Sequence, residues 1–409
     1  MNKKHVGLWV TAGAAFLPAL SYAAGPSLSD VLVNSGITAA GYVSASYDAT
    51  LNSTNGSTVG EVPFHAFDTN SNTFELNQAA LTLSYLPTSG FGALVNVIAG
   101  EDAKIINGAY SGYGSSNGSD FALTQGYVQY AVGNFTVIGG RYVTLAGEEV
   151  IDDSKNANIS RSLLFTNLEP LVHTGVRASY KVSDLLTVIG GLNNSALGYS
   201  QDNNKFKTIE LGAAITPSST VSIALADYYG VDGNGPSKTK NNYFDVVGSW
   251  QATPALLLAI NGDYVRSIGT LDTIPGSFLG VVPSTPPVTT STAGTDTGAG
   301  VALYGTYAFN DSWKGSLRGE YAYFKAAPSG FNGTGIGHLA EVTATVDYSA
   351  TKSFDVLGEF REDYGSVTAP GFDAGVYPGA NNTTTGTQKS QTEFLIKAIY
   401  KFGTPVSSS

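Results

Sequence analysis

The sequence alternates apolar and polar residues over short stretches, and this period of two constrains the fold more than any other feature. Between Leu339 and Asp363 the alternation runs to a four-residue turn, "SATK" from Ser349, and then resumes. Successive side chains of a β-strand point to opposite faces, so each stretch has one face suited to an apolar surrounding and one suited to water. The pattern predicts antiparallel strands joined by tight turns.

The connections between the predicted strands fall into two classes that alternate along the chain. Eight are long and polar, for example Asp102–Asp120, Ile268–Thr295 and Ser366–Ser390. Seven are short and begin at Leu86, Val132, Val182, Thr216, Ala252, Phe309 and Ser349. Together they join about sixteen strands, from Ile37–Tyr47 to Phe394–Phe402, and closure of the first on the last leaves no edge. The sequence predicts an all-β fold, a transmembrane antiparallel β-barrel with short periplasmic turns and long extracellular loops.

The apolar face of each strand is continuous for about nine to eleven residues, the length that a tilted strand needs to cross a bilayer. Lipid of the outer membrane is therefore the expected partner of that face. Aromatic residues flank the short turns, as Tyr85 and Phe91 do at the first, which is typical of the interfacial girdle of such barrels. A soluble β-sandwich shows the same alternation but gives no reason for turns on one side and long loops on the other.

Composition and the first residues indicate an exported protein. The segment 1–23 has a basic start and an apolar core, and small residues precede the expected cleavage site, as in a signal peptide. Cleavage leaves 19 basic and 32 acidic residues, a formal charge of −13, which argues against nucleic-acid partners. The chain has no Cys, so no disulfide holds the fold. We expect a short helix at 24–36, the barrel at 37–403 and a tail at 404–409.

Several segments resemble a known family. They are "GYVSASYD" from Gly41, "FELNQAALTLSY" from Phe74, "TQGYVQYAVGNFTVIGGRYVTLAGEEV" from Thr124 and "NISRSLLFTNLEPLVHTGVRASY" from Asn158. These segments are similar to the OmpL-like β-barrel porin family. The resemblance implies an outer-membrane porin of a Gram-negative bacterium, without catalytic residues, and its likeness to porins implies a homotrimer.

If lipid surrounds the apolar face, the polar face encloses a lumen that sixteen strands make too wide for side chains to fill. The sequence therefore predicts passive diffusion of small hydrophilic solutes or ions, with a mild preference for cations because the chain is acidic. The alternation predicts a set of charged pore-lining residues: Arg177, Lys181, Glu210, Asp245, Asp263, Arg318, Glu320, Glu341, Asp347, Asp355, Glu359 and Arg361. In the fifth strand Arg141 and Tyr142 compete for the inward face, and the pattern does not choose between them.

The third long loop, Leu145–Leu171, has two interpretations. In one it folds into the lumen, and its charged residues form an acidic constriction that faces a few bases. The constriction residues are Glu148, Glu149, Asp152, Asp153 and Glu169, with Lys155 and Arg161 opposite. In the other it is a solvated outer loop. The apolar patch Ser162–Phe165 favours the inward position, because such a patch needs something to pack against.

Catalytic, cofactor and metal sites are not expected. Only His65, His173 and His338 remain after cleavage, without a nucleophile elbow or a paired acid at a recognisable spacing. A ligand receptor with a plug domain and about 22 strands needs a longer chain. An adhesin or structural barrel, whose extracellular loops bind a partner, is the alternative to a porin. The segment 24–36 fits both a plug at the periplasmic mouth and a mobile terminus.

Overall fold

The computed structural model describes most of the chain from Leu32 to Gly403. The described residues are 32, 34–51, 62, 65–110, 119–196, 202, 204–233, 238–270, 293–325, 336–365 and 390–403. The predicted signal peptide 1–23 and tail 404–409 lie outside them, as does most of the segment 24–36. At the end of that segment the carbonyl of Leu32 accepts hydrogen bonds from the amides of Ser35 and Ile37 (3.1 and 3.0 Å), and Gly36 has a positive φ of 72°.

Sixteen strands form one closed antiparallel barrel, which confirms the predicted fold. Each strand pairs with its neighbours in sequence, and β1 closes on β16 with Gly41 opposite Phe402. In chain order, β1 to β16 are Thr38–Thr50, Thr73–Tyr85, Gly90–Ala99, Phe121–Val132, Phe135–Val143, Val172–Lys181, Leu186–Asn193, Thr208–Ser218, Val221–Asp232, Thr239–Thr253, Leu256–Thr270, Ala293–Ala308, Trp313–Lys325, Ile336–Thr351, Phe354–Gly365 and Ser390–Gly403. No helix among the described residues is long and apolar enough to span a membrane.

The two faces of the barrel wall follow the alternation. On β14, Val342 and Val346 are 57% and 49% exposed on the outer face, whereas Glu341 and Thr343 point inward and are buried. On β5, Tyr142 points inward and is buried, so its neighbour Arg141 belongs to the outward face. The outer wall is therefore mainly apolar, as a surface against hydrocarbon must be.

Exposed aromatic side chains surround the barrel at the level of the short turns. Phe91 packs on Tyr130 and Trp313 on Tyr348, with ring centroids 4.9 and 4.6 Å apart. Their amphipathic rings suit the depth of the lipid headgroups. Since barrels of this kind have their short turns in the periplasm, this girdle marks the periplasmic rim.

The wall differs in height around the barrel. Strands β5, β6 and β7 have 9, 10 and 8 residues, whereas β10, β11 and β12 have 15, 15 and 16. Among the described residues outside the sheet, α1, Glu101–Tyr110, follows β3, and α2, Leu163–Asn167, lies in the third loop together with a turn of 3-10 helix, Asp153–Lys155. Apolar residues of both helices are buried, Ile106 of α1 in one cluster and Leu163 and Leu164 of α2 in another.

Candidate functional site

The connection between β5 and β6, which is the third long loop, runs inside the barrel. Residues 158–173 are all buried, and they touch inward side chains of strands on several sides of the lumen. Helix α2 begins at Ser162, whose hydroxyl accepts a hydrogen bond from the amide of Phe165 (2.9 Å). Leu163, Leu164 and Phe165 are at most 2% exposed. The apolar patch seen in the sequence thus packs against the inner wall.

Wall carboxylates hold the backbone of this loop. Glu359 of β15 accepts hydrogen bonds from the amides of Ile159 (2.6 Å) and Ser160 (2.9 Å). Glu320 of β13 accepts from the amides of Leu163 (3.0 Å) and Leu164 (3.2 Å). The first amides of a helix have no partner within it, so Glu320 satisfies donors that would otherwise be buried alone.

Glu149, in the loop itself, joins the same network. One of its carboxylate oxygens accepts from the amide of Ser162 (2.6 Å), and the other pairs with Arg318 of β13 (2.7 Å). Arg318 also pairs with Glu341 (2.8 Å) and donates to the carbonyl of Ser160 (2.8 Å). A carboxylate and a guanidinium that each bind both charge and backbone are buried with their polar atoms satisfied.

The remaining bases near the loop are paired as well. Arg361 of β15 binds Asp363 (2.8 Å) and donates to the carbonyl of Arg161 (2.6 Å). Arg161 lies 2.7 Å from Asp153, so it bonds to one of the loop's acids instead of facing them across the lumen. Lys397 of β16 binds the other oxygen of Asp153 (3.1 Å). The positive charges around the loop are therefore neutralised.

Four acids near the start and end of the loop form no ion pair with a base in the described part of the chain. They are Glu148, Glu169, Asp245 and Asp263. Asn261 connects them, because it accepts from the amide of Glu148 (3.0 Å) and donates to Asp245 (2.7 Å). Tyr243 donates to Asp263 (2.7 Å). This group of four acids on the loop, β10 and β11 is called the acidic cluster below.

Burial sets the pKa values of the two loop acids in this cluster, Glu148 and Glu169. Burial and then the charges of Asp263 and Asp245 raise the pKa of Glu169 well above its ordinary value. Burial also raises the pKa of Glu148. Gly147 lets the loop backbone lie close to the Glu169 carboxyl. Its φ is +87°, and a Cβ on it would lie 2.1 Å from an oxygen of Glu169. The acids are thus held where a mobile cation, or a proton, lowers their electrostatic energy.

The other predicted residues have partners outside this network. Arg177 and Glu210 form a pair on β6 and β8 (3.0 Å), and the guanidinium stacks 4.2 Å over the ring of Tyr142. Asp152 accepts from the amide of Ser154 (3.0 Å) and pairs with Lys155. Nearer the periplasmic rim the predicted residues have local partners: Lys181 with Asp184, Asp347 with Lys314 and Asp355 with Lys401.

The accessible inner wall lies on the periplasmic half of the strands from β2 to β8. Its inward residues are small and at least partly exposed, as Ser84, Ser179, Thr187, Gly191 and Ala214 are. The extracellular half is filled by the third loop, where Arg161, Arg318 and Arg361 are at most 1% exposed. Water thus reaches the interior from the periplasmic side as far as the loop.

A second polar group ties the first long loop to the wall, and no pattern in the sequence predicts it. His65 is buried between Asp68, Asp363 of β15 and Glu393 of β16, with Nε2 3.2 Å from Asp363. One nitrogen of His65 and one oxygen each of Asp363 and Glu393 lie within 4.8 Å of one another, which is compatible with a metal. Both ring nitrogens of His65 face carboxylates, and Arg361 already donates a hydrogen bond to Asp363. A protonated His65 ring therefore fits this group better than a metal ion does.

The comparisons with known proteins agree with this geometry. Residues 36–402 match the model of the family described as "Putative beta-barrel porin-2, OmpL-like". The chain belongs to this porin family. It is a β-barrel of the Gram-negative outer membrane, and its family points to a channel rather than an enzyme. Among curated proteins, none matches it significantly.

Solved structures resemble the porin in fold at low sequence identity. The outer membrane channel DcaP of Acinetobacter baumannii is 12% identical, with a TM-score of 0.56 over 90% of this chain and 97% of that one. An anion-selective porin from Comamonas acidovorans is 12% identical, with a TM-score of 0.54 over 90% and 99%. A trimer form of OmpT from Vibrio cholerae is 14% identical, with a TM-score of 0.54 over 90% and 99%.

Removal of both wall carboxylates is expected to release the third loop. In E320A/E359A, four amides lose their acceptors, at a cost on the order of 1–3 kcal/mol for each group left buried and unsatisfied. Limited proteolysis of the folded barrel should then cut between residues 145 and 171, a region that is protected in the unmodified protein. The control D347N/D355N neutralises two inward acids near the periplasmic rim and should leave the loop protected. Equal protection in E320A/E359A would contradict this anchoring.

The His65 group makes stability depend on pH. Burial and the charge of Arg361 lower the pKa of His65, but Asp68, Glu393 and Asp363 outweigh them and raise it to about 10. A raised pKa stabilises the fold fully below the unfolded value of about 6.5, and this contribution is lost as pH rises toward 10. The difference in unfolding free energy between the unmodified porin and H65Q should therefore shrink from pH 6 to pH 10. For H338Q, on the outer wall, the difference should be small throughout; a constant gap for H65Q would refute the ionised ring.

Proposed function

We propose that this porin lets small hydrophilic solutes and ions diffuse passively through its lumen, with a mild preference for cations. The acidic cluster carries the proposal, because Glu148, Glu169, Asp245 and Asp263 have no basic partner among the described residues. Every base that borders the third loop is already bound to a carboxylate. The groups left for a passing ion are therefore carboxyl groups, which attract a cation when they are ionised.

The position of the cluster supports a role in permeation. Its acids lie beside the third loop, which fills the extracellular half of the lumen, and Glu148 is the one of the four that is partly exposed. A low-dielectric protein wall focuses the field of such charges on the path of an ion. Fixed acids there raise the local concentration of cations and lower that of anions, as rings of carboxylates do in cation channels.

Reversal potentials in a planar bilayer test the preference. Under a tenfold KCl gradient, we expect the refolded porin to give the sign of a cation-selective channel. The variant E148Q/D245N should move the potential toward zero by roughly half, because it removes two of the four unpaired acids. D347N, an inward acid near the periplasmic rim, should change it little. An anion-selective sign in the unmodified porin would refute the preference.

The alternative is a barrel with a closed lumen whose extracellular loops bind a partner. The burial of Arg161, Arg318 and Arg361 favours it, since these side chains would be hydrated in a wide pore. The same bilayer measurement separates the two functions. A barrel that inserts but carries no current, even when the third loop is released in E320A/E359A, is not a diffusion channel.

We also propose a homotrimer, assembled through the low wall at β5 to β7. Small outward residues, Gly139, Ala178 and Gly190, lie on adjacent strands there, since Val137 pairs with Ala178 and Ala178 with Gly190. Small side chains let two walls approach closely. Light scattering of the detergent-solubilised porin should give a mass of three chains, and G139L/G190L should shift it to one. A monomer in the unmodified porin would contradict the assembly.

A further inference from the structure

The outer wall carries a row of basic residues at its extracellular end, on a face that is otherwise apolar. Arg266 of β11 pairs in register with Thr297 of β12, and Thr297 with Lys325 of β13. On the other side Arg266 lies opposite Asn242 of β10. All four lie on the outward face, and adjacent strands are about 4.8 Å apart, so Arg266 and Lys325 stand roughly 10 Å from each other. Lys240, on β10, lies one outward position farther toward the extracellular loops.

An aromatic row lies directly beneath the basic row. Phe244, Tyr264, Tyr323 and His338 are at one level, because Phe244 pairs with Tyr264, both Tyr264 and Tyr323 flank Ala299, and Tyr323 pairs with His338. The rings of Tyr323 and His338 are 5.3 Å apart. Such rings mark the boundary between hydrocarbon and headgroups. The basic row, one step farther out, is thus at the depth of the headgroups of the outer leaflet.

The basic side chains are available for a ligand. Lys240, Arg266 and Lys325 are exposed, and within the described part of the chain they form no ion pair or hydrogen bond. Asp227 is the one acid that faces outward on the described residues of β9 to β13. It accepts a hydrogen bond from Asn242 (2.7 Å) and lies at the aromatic level, below the row. The positive charge of the row is therefore not neutralised by the protein.

Further lysines extend the positive charge along the same rim. Lys205 and Lys238 lie 5.8 and 5.3 Å from the ring centroid of Phe206, between the ends of β8 and β10. This concentration is unexpected in a chain with a formal charge of −11. Bases that face lipid at headgroup depth have anionic headgroups as their natural partners.

We propose that Lys240, Arg266 and Lys325 form a binding surface for the phosphate groups of a lipid in the outer leaflet. The guanidinium of Arg266 can hold one phosphate with two parallel hydrogen bonds, and the two lysines supply point charges on either side of it. The acyl chains of the same lipid would lie along the apolar wall below the aromatic row. The ligand of this surface is a membrane lipid rather than a free phosphate ion, because the aromatic row and the apolar wall have no role in binding free phosphate.

The test is titration of the detergent-solubilised porin with lipid A that carries two phosphates, with bound lipid counted by native mass spectrometry. We expect R266Q/K325Q to bind this lipid at least about tenfold more weakly than the unmodified porin, from the loss of two charges near the headgroup. The control K104Q/K352Q removes two positive charges elsewhere, and its affinity should stay within twofold. Equal affinity of R266Q/K325Q and the unmodified porin overturns the proposal.

Two further measurements keep the proposal falsifiable if R266Q/K325Q folds poorly. R266K/K325R keeps both charges and should retain binding. In the unmodified porin, lipid A without phosphates should bind at least about tenfold more weakly than the form with two. Equal binding of the two forms removes the role of phosphate. Displacement of lipid A by millimolar inorganic phosphate alone would assign the row to free anions and overturn the lipid assignment.

Discussion

The interior of this barrel depends on wall carboxylates that accept the backbone N–H groups of the third loop. A loop inside a barrel carries polar backbone into a space where water is largely excluded, and each unpaired group there is costly. Glu359 and Glu320 solve this by placing carboxylates opposite consecutive amides. Arg318 and Arg361 then offset the charges of the wall and donate to loop carbonyls. The loop is held by its backbone, so its side chains are left to other tasks.

This arrangement divides the interior acids into two groups. The acids on β13 to β15 and Asp153 are structural, because each holds a base, a backbone amide or both. The acidic cluster has no base to hold, so its carboxyl groups remain open to a cation or a proton beside the third loop. The same residue types thus differ in function according to whether a base lies within reach. A neutralised structural acid would leave a buried base without its partner, which is the more costly change.

The period of two in the sequence was sufficient to predict the strand order, the face of each strand that meets lipid, and the closure of the barrel. A strict alternation fixes which side of each strand meets lipid, and turn lengths fix the neighbours. The charged wall residues from Arg177 to Arg361 accordingly lie on inward positions. The alternation alone left Arg141 and Tyr142 undecided, because β5 contains two glycines in succession; the bond from Tyr142 to Asn193 places the tyrosine inside.

Partners within the site were less predictable. Arg161 was expected to face the acids, but Asp153 lies eight positions away in the same loop and binds it directly. His65 meets Asp363 and Glu393, which are distant in sequence, and no local pattern brings such residues together. Contacts between loops and walls depend on the path of each loop, and loop residues carry no periodicity that reports this path.

The closure of β1 on β16 has a consequence for how the porin forms. Gly41 lies opposite Phe402, and a Cβ on Gly41 would be 2.6 Å from the phenyl ring, so the seam depends on a glycine at one end of the sheet and an aromatic ring at the other. Pairing of the two ends of the chain closes the longest loop in the sheet, and such non-local contacts are the slow ones in folding. Until they form, β1 and β16 are both open edges, able to pair with any exposed strand nearby. The barrel is therefore most vulnerable to aggregation just before its last step, when fifteen of its sixteen strand pairings already exist.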